Sequence, residues 1–214
     1  MRVEPEHKGR ARGKREGLTM FTINRITVVA AIVYVGALSV FAQQPQRDGP
    51  RYQDGTNLVR PTDYREWAFL GSGLGLDYEP ADPSRSPNFT SVFVNPSSYR
   101  SFIQTGTWPN ETVFVLEIRR SETNAAPNVS GRFQGQLVAV EAEVKDTRFA
   151  DGWAFYNFGQ ANALRSATAP LAGDAVASCV DCHTKHTAVE RTFVQFYPAL
   201  LEVARQKRTL KPGF

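Results

Sequence analysis

The chain is poor in the residues that bind metals and soft ligands: its 214 residues include only two cysteines, two methionines and three histidines. Both methionines, Met1 and Met20, fall in the first twenty residues, so nothing beyond Met20 offers a thioether to a metal. Net charge of one sign is also scarce. The formal charge is +4, from 25 Lys plus Arg against 21 Asp plus Glu. Seven of those basic residues (Arg2, Lys8, Arg10, Arg12, Lys14, Arg15, Arg25) and three of the acidic ones (Glu4, Glu6, Glu16) precede Gln43, which leaves 18 against 18 in the remainder. A body that is electrically neutral lacks the basic footprint of a nucleic-acid binder. No internal repeat or low-complexity tract is present.

The few soft-ligand residues are gathered in one place. "ASCVDCHTKH", residues 177–186, holds both cysteines and two of the three histidines. The spacing Cys179-x-x-Cys182-His183 is that of a c-type haem attachment site. Each thiol can add to a haem vinyl group, and His183 then lies beneath the iron as an axial ligand. Other chemistries fit the same residues less well. Zinc could take Cys179, Cys182 and His186, but structural zinc sites usually join two ligand pairs far apart in sequence, and no distant pair exists. A thioredoxin-like dithiol belongs at a helix start after an early strand, whereas this one lies close to the end of the chain. A plain disulfide would leave the adjoining histidine unexplained.

The sixth ligand of such an iron separates electron transfer from small-molecule chemistry. Methionine is missing after residue 20. His186, three residues beyond His183, is tethered to the same side of the porphyrin. The expected haem is therefore five-coordinate, or carries only water or a weak ligand, and an open iron is a site for a small molecule.

Residues 1–42 have the parts of an export signal: a basic stretch, the apolar run "ITVVAAIVYVGALSVFA", and cleavage expected after Ala42. An uncleaved run would instead be a membrane anchor, since it falls just short of the roughly 20 residues that span a bilayer. Met20 begins a conventional signal of its own, so the first 19 residues could reflect a mis-assigned start codon. Either route predicts a periplasmic protein, in a compartment where close thiols oxidise. Residues 43–61 read as an extended polar lead-in, and 62–214 as a single haem domain.

Within that domain "YREWAFLGSGLGL" predicts a helical turn running into a glycine-broken strand, and "FTSVFV" a strand ending at Val94. Asn95-Pro96 suits a helix start, with the Asn side chain capping free amides, and the helix "PSSYRSFIQ" should stop near Gly106. "ETVFVLEIRR" predicts another strand. In "GRFQGQLVAVEAEVKD", Val138, Val140, Ala142 and Val144 alternate with Ala139, Glu141, Glu143 and Lys145, which predicts one buried and one wet face. "GWAFYNF" predicts a strand with Trp153, Phe155 and Asn157 opposite Ala154, Tyr156 and Phe158. After the haem motif, Val189, Phe193, Phe196 and Leu200 recur at helical spacing, with Pro198 breaking that helix in two. The fold class expected is α+β: an antiparallel sheet of four to five strands with helices packed on it and the haem attached near the C-terminus.

Four stretches together resemble one family. "YREWAFLG", "VFVNPSSYRSFIQTGTW", "VEAEVKDTRFADGWAFYNF" and "CVDCHTKH" with "FVQFYPAL" are similar, in that order, to the cytochrome P-460 group and its non-crosslinked relatives, the cytochromes c′-beta. "DGWAFYNF" and "FYPAL" make the likeness more specific than CxxCH alone. The resemblance implies an antiparallel sheet, a homodimer, a periplasmic location and one covalent five-coordinate haem c. Oxidising members join a lysine to the porphyrin from the segment that reads "SFIQTG" here, where Ile103 and Gln104 stand and no lysine does. No crosslink is therefore expected. Lys145 reads as a solvated charge, and Asp151 as a turn residue beside Gly152 and only a weak candidate for the family's distal base.

Two functions follow from the resemblance. One is the binding of nitric oxide or a related small nitrogen species, in a pocket lined from among Phe93, Phe102, Gln104, Trp108, Trp153 and Phe155. The alternative is a haem oxidoreductase that oxidises hydroxylamine or nitric oxide and passes electrons to a partner cytochrome.

Overall fold

Strong alternation and β-branched content put the longest strands where the sequence suggests. A computed structural model describes residues 48–76 and 84–214; the expected leader, residues 1–42, lies outside them. Five antiparallel strands form a meander in the order β3 (Ala68–Leu74), β4 (Asn88–Val94), β5 (Thr112–Glu122), β6 (Phe133–Lys145), β7 (Trp153–Gln160). A smaller antiparallel sheet pairs β1 (Tyr52–Gln53), β2 (Asn57–Val59) and β8 (Ala167–Thr168). Among the described residues there are three α-helices: α1 (Pro96–Thr105), α2 (Asp174–Lys185) and α3 (Pro198–Lys207). The class is α+β, as expected.

The large sheet is covered on both faces, each with its own core. On one face Val113, Val115, Val140, Ala142, Val144, Ala154, Tyr156 and Phe158 pack against Leu58 and Tyr64. On the other, Val94, Phe102, Trp108 and Phe114 pack with Ala188, Val189, Val194, Leu200 and Ala204. Burial from both sides explains why Thr112–Val115, in the central strand, are buried without alternation.

Four expectations need correction. The extended lead-in is not separate from the domain: it contains β1 and β2, β2 pairs with β8, and Leu58 within it is 0% exposed. Asn95 precedes α1, but its side chain makes no cap bond. Its Oδ1 instead accepts from the Val113 amide (2.8 Å), and Asp48 Oδ2 accepts from the Ser97 amide (2.7 Å) in its place. No helix covers 189–197. Val189 and Thr192 form a tight bridge, a single 3-10 turn spans Val194–Phe196, and α3 starts at Pro198, where a proline needs no amide partner. The apolar spacing there reports burial and not backbone shape.

The fourth correction bears on function. Glu141, Glu143 and Lys145 are not on a wet face. That side of β6 and β7 is covered, so the polar half of the alternation is half-buried, while Val140, Ala142 and Val144 opposite it are buried.

Candidate functional site

The CxxCH residues lie on α2. Cys179 and Cys182 are three positions apart on this helix, and His183 is four positions after Cys179, so all three share one side. Both cysteines are free and half-buried. The α2 helix contributes no fully buried residue.

His183 is fixed on several sides. Its ring meets Phe155 of β7 edge to face, with centroids 4.8 Å apart, and Phe193 at 4.7 Å. Phe193 in turn stacks on Phe196. Nδ1 of His183 lies 2.8 Å from the Arg191 carbonyl oxygen, which can only accept, so Nδ1 carries the proton and Nε2 presents its lone pair. Glu143 Oε1 stands 3.3 Å from the same Nδ1, with its side chain 11% exposed. That oxygen is buried and has no aligned hydrogen bond, because the Nδ1 proton points at Arg191. It is a charge contact and not a second bond.

Burial raises the Glu143 carboxyl above the ordinary range, against the opposing pull of His183 and Arg191. Burial would lower the His183 imidazole, but Glu143 and the Arg191 carbonyl outweigh it and the net shift is upward. Glu141 is raised by burial, although Asn157 Nδ2 donates to its Oε1 (3.0 Å). Cys179 is raised by burial and then by the charge of Glu141. A redox-active dithiol needs the opposite shift, which comes from a helix N-terminus or a nearby cation, and Cys179 and Cys182 are the sixth and ninth residues of α2, beyond its first turn.

The other sequence candidates scatter. Phe155 is brought to His183. Trp153 is half-buried against the helical core, with the Lys145 ammonium 5.7 Å from its ring centroid. Phe102 and Trp108 pack on each other at 4.1 Å within that core, and Trp108 Nε1 donates to Thr192 Oγ1 (2.8 Å). Phe93 belongs to the opposite face, against Tyr64 and Phe69. Gln104 and Ile103 are exposed on α1, and Asp151 is an exposed turn residue 3.8 Å from Arg191. Sequence reasoning missed Glu143 and Arg191. The first was hidden in an alternating strand, and the second acts through a backbone carbonyl that no side-chain motif encodes.

Residues 61–194 match the cytochrome P460 family, well over half of the chain. The chain belongs to the cytochrome P460 family. Membership makes it a c-type haem protein. No curated protein matches the chain. The residues present fit the cytochrome P460 cofactor: two unpaired thiols one helical turn apart, an imidazole with Nδ1 engaged and Nε2 available, and a buried carboxylate oxygen beside that imidazole. Cys179 and Cys182 would hold the porphyrin, and His183 the iron, which supplies an electrophilic and redox-active centre.

Proposed function

We propose that this is an exported, periplasmic member of the family that binds nitric oxide, or a related small nitrogen species, at an iron held by His183 and open on its other side. The observation that carries the reading is the state of His183: its Nδ1 bond to Arg191 leaves Nε2 for a metal, one residue past two free thiols. A ferrous haem anchored there supplies the coordination site for a diatomic gas. The polypeptide does the rest. Phe155 and Phe193 hold the imidazole plane, and the Arg191 carbonyl fixes its tautomer. His186, the position after α2, is exposed and linked to the same helix, and no methionine follows Met20, so a strong sixth ligand from the chain is lacking. Ile103 and Gln104, in place of a crosslinking lysine, favour the non-crosslinked cytochrome c′-beta type. A homodimer is part of this proposal.

The test is the absorption spectrum of the protein matured with cytochrome c machinery, ferric and ferrous, with and without nitric oxide. Covalent high-spin haem that takes up nitric oxide is the expected result. A colourless product, or a low-spin iron at rest, would overturn it. Anaerobic hydroxylamine with an electron acceptor tests the oxidoreductase alternative: sustained acceptor reduction would replace the binding function with catalysis and a partner cytochrome.

A further inference from the structure

Lys145 closes β6 on the face that carries Glu143, and it is tightly engaged. Its ammonium donates to the Trp108 carbonyl oxygen (2.6 Å) and to both carboxylate oxygens of Glu190 (2.8 Å each). Each side chain of this ion pair is 25% exposed, so water screens it only in part.

Glu190 has φ +50°, in the left-handed region. A residue with a Cβ stays there only where its surroundings over-determine it. Here they do. The Thr187 hydroxyl proton is shared between the carbonyl oxygens of His183 (2.5 Å) and Glu190 (3.0 Å), the Thr192 amide and hydroxyl both donate to the Val189 carbonyl oxygen (2.8 Å each), and Trp108 Nε1 donates to Thr192 Oγ1 (2.8 Å). Lys211 Nζ holds Thr187 Oγ1 from the C-terminal end (2.7 Å). The residue that follows this strained point is Arg191, whose carbonyl takes the Nδ1 proton of His183. A rotation at Glu190 would swing that carbonyl away.

We propose that the Lys145–Glu190 ion pair is a positioning device for the axial histidine: it locks the left-handed turn that aims the Arg191 carbonyl at His183 Nδ1. Neither residue touches the imidazole. Both act through one backbone carbonyl, and partners of this kind set ring orientation and ligand basicity. The consequence for iron rests on the haem reading above. The consequence for the imidazole tautomer is a property of the polypeptide alone.

The experiment compares Lys145→Met, Glu190→Gln and Lys145→Arg in the full chain carrying covalent haem, with thermal unfolding as a check on folding. The readouts are the iron–imidazole stretching frequency of the ferrous protein and the reduction midpoint. Lys145→Met and Glu190→Gln should lower the frequency and raise the midpoint, by about a tenfold change in the redox equilibrium, or 59 mV for one electron. Lys145→Arg, which keeps charge and donors, should stay near the parent. Folded, haem-loaded Lys145→Met and Glu190→Gln proteins with parental frequency and midpoint would overturn the proposal, as would an arginine variant no better than the methionine one. If no haem attaches at Cys179 and Cys182, the functional reading falls separately. The ring-nitrogen NMR shifts of His183 in the haem-free chain then decide: Nδ1-protonated in the parent and mixed in Lys145→Met, or unchanged between them, which would refute the device.

Discussion

Glu143 and His183 meet inside the protein, carboxylate oxygen 3.3 Å from ring Nδ1, on a face of the sheet whose alternating pattern reads as solvent-exposed. Burial alone pushes an imidazole toward its neutral form, and here the carboxylate reverses that direction. Glu143→Gln keeps the shape and removes the charge. The His183 pKa should then fall relative to the parent in the haem-free chain, read from the imidazole carbon-bound proton shifts across a pH titration. An unchanged titration would mean that the Arg191 carbonyl is sufficient to raise it.

Glu141, two residues earlier on the same face, makes a separate prediction about stability and pH. Its carboxyl is raised from 4.5 by burial. A folded state that binds the proton more tightly than the unfolded chain loses stability as pH rises from the ordinary carboxylate value through the raised one. Glu141→Gln removes that loss, and its amide oxygen can still accept from Asn157. The variant should therefore be more stable than the parent at pH 7 and no more stable at pH 4, measured as urea midpoints of the haem-free chain. A gain of equal size at both values would point to packing and not to charge.

The legible parts of the sequence are those whose signal is local. The CxxCH spacing is a covalent requirement, and Ala154, Tyr156 and Phe158 alternate because a strand alternates. The same logic failed where a long-range partner decides the outcome. Ser97 is capped by Asp48, 49 positions earlier, and no local rule favours it over the adjacent Asn95. Val189, Phe193, Phe196 and Leu200 mimic a helix because spacing records which side chains are near the core, while the chain between them turns at Glu190 with φ +50°. Glu143 and Lys145 looked like ordinary polar positions because nothing in β6 reveals that the loop at 187–192 will close over them. The site was legible as a ligand set, and the arrangement that orients it was not.

On the opposite face of the sheet, Glu117 is 4% exposed and holds three partners: Tyr64, Arg65 (Nη2 at 2.6 Å) and Arg119. Burial would raise its carboxyl, but the bonds from Arg119, Tyr64 and Arg65 prevail and lower it. A depressed carboxyl contributes stability above the ordinary carboxylate range and loses it as pH falls through the depressed value. Glu117→Ala strands a partly buried guanidinium and a phenol and should cost about 3 kcal/mol at pH 7. Urea unfolding of parent and variant should show the difference shrinking at acid pH; a constant difference would assign the loss to the cavity instead.

Gly106 ends α1 with φ +76°, and its amide bonds to the Phe102 carbonyl oxygen (2.7 Å). A Cβ there would lie 2.6 Å from Lys207 Cβ, at the last position of α3. Two separate costs follow from adding one methyl group. The left-handed backbone alone disfavours alanine by roughly 1–2 kcal/mol, and the contact with α3 adds to it because helix ends bonded on both sides cannot simply part: Thr209 Oγ1 donates to the Gly106 carbonyl oxygen (2.7 Å). Gly106→Ala should therefore destabilise the protein by about 2 kcal/mol or more. A double-mutant cycle with Lys207→Gly isolates the Lys207 share of the steric cost, because removing that side chain leaves in place both the backbone cost and the Thr209 Oγ1 contact, 2.8 Å from the same Cβ. Urea midpoints of the four proteins should show positive coupling in the double variant, with a residual loss of at least the backbone size. Strict additivity would mean that α1 and α3 shift apart freely at Lys207 and that this contact carries no cost.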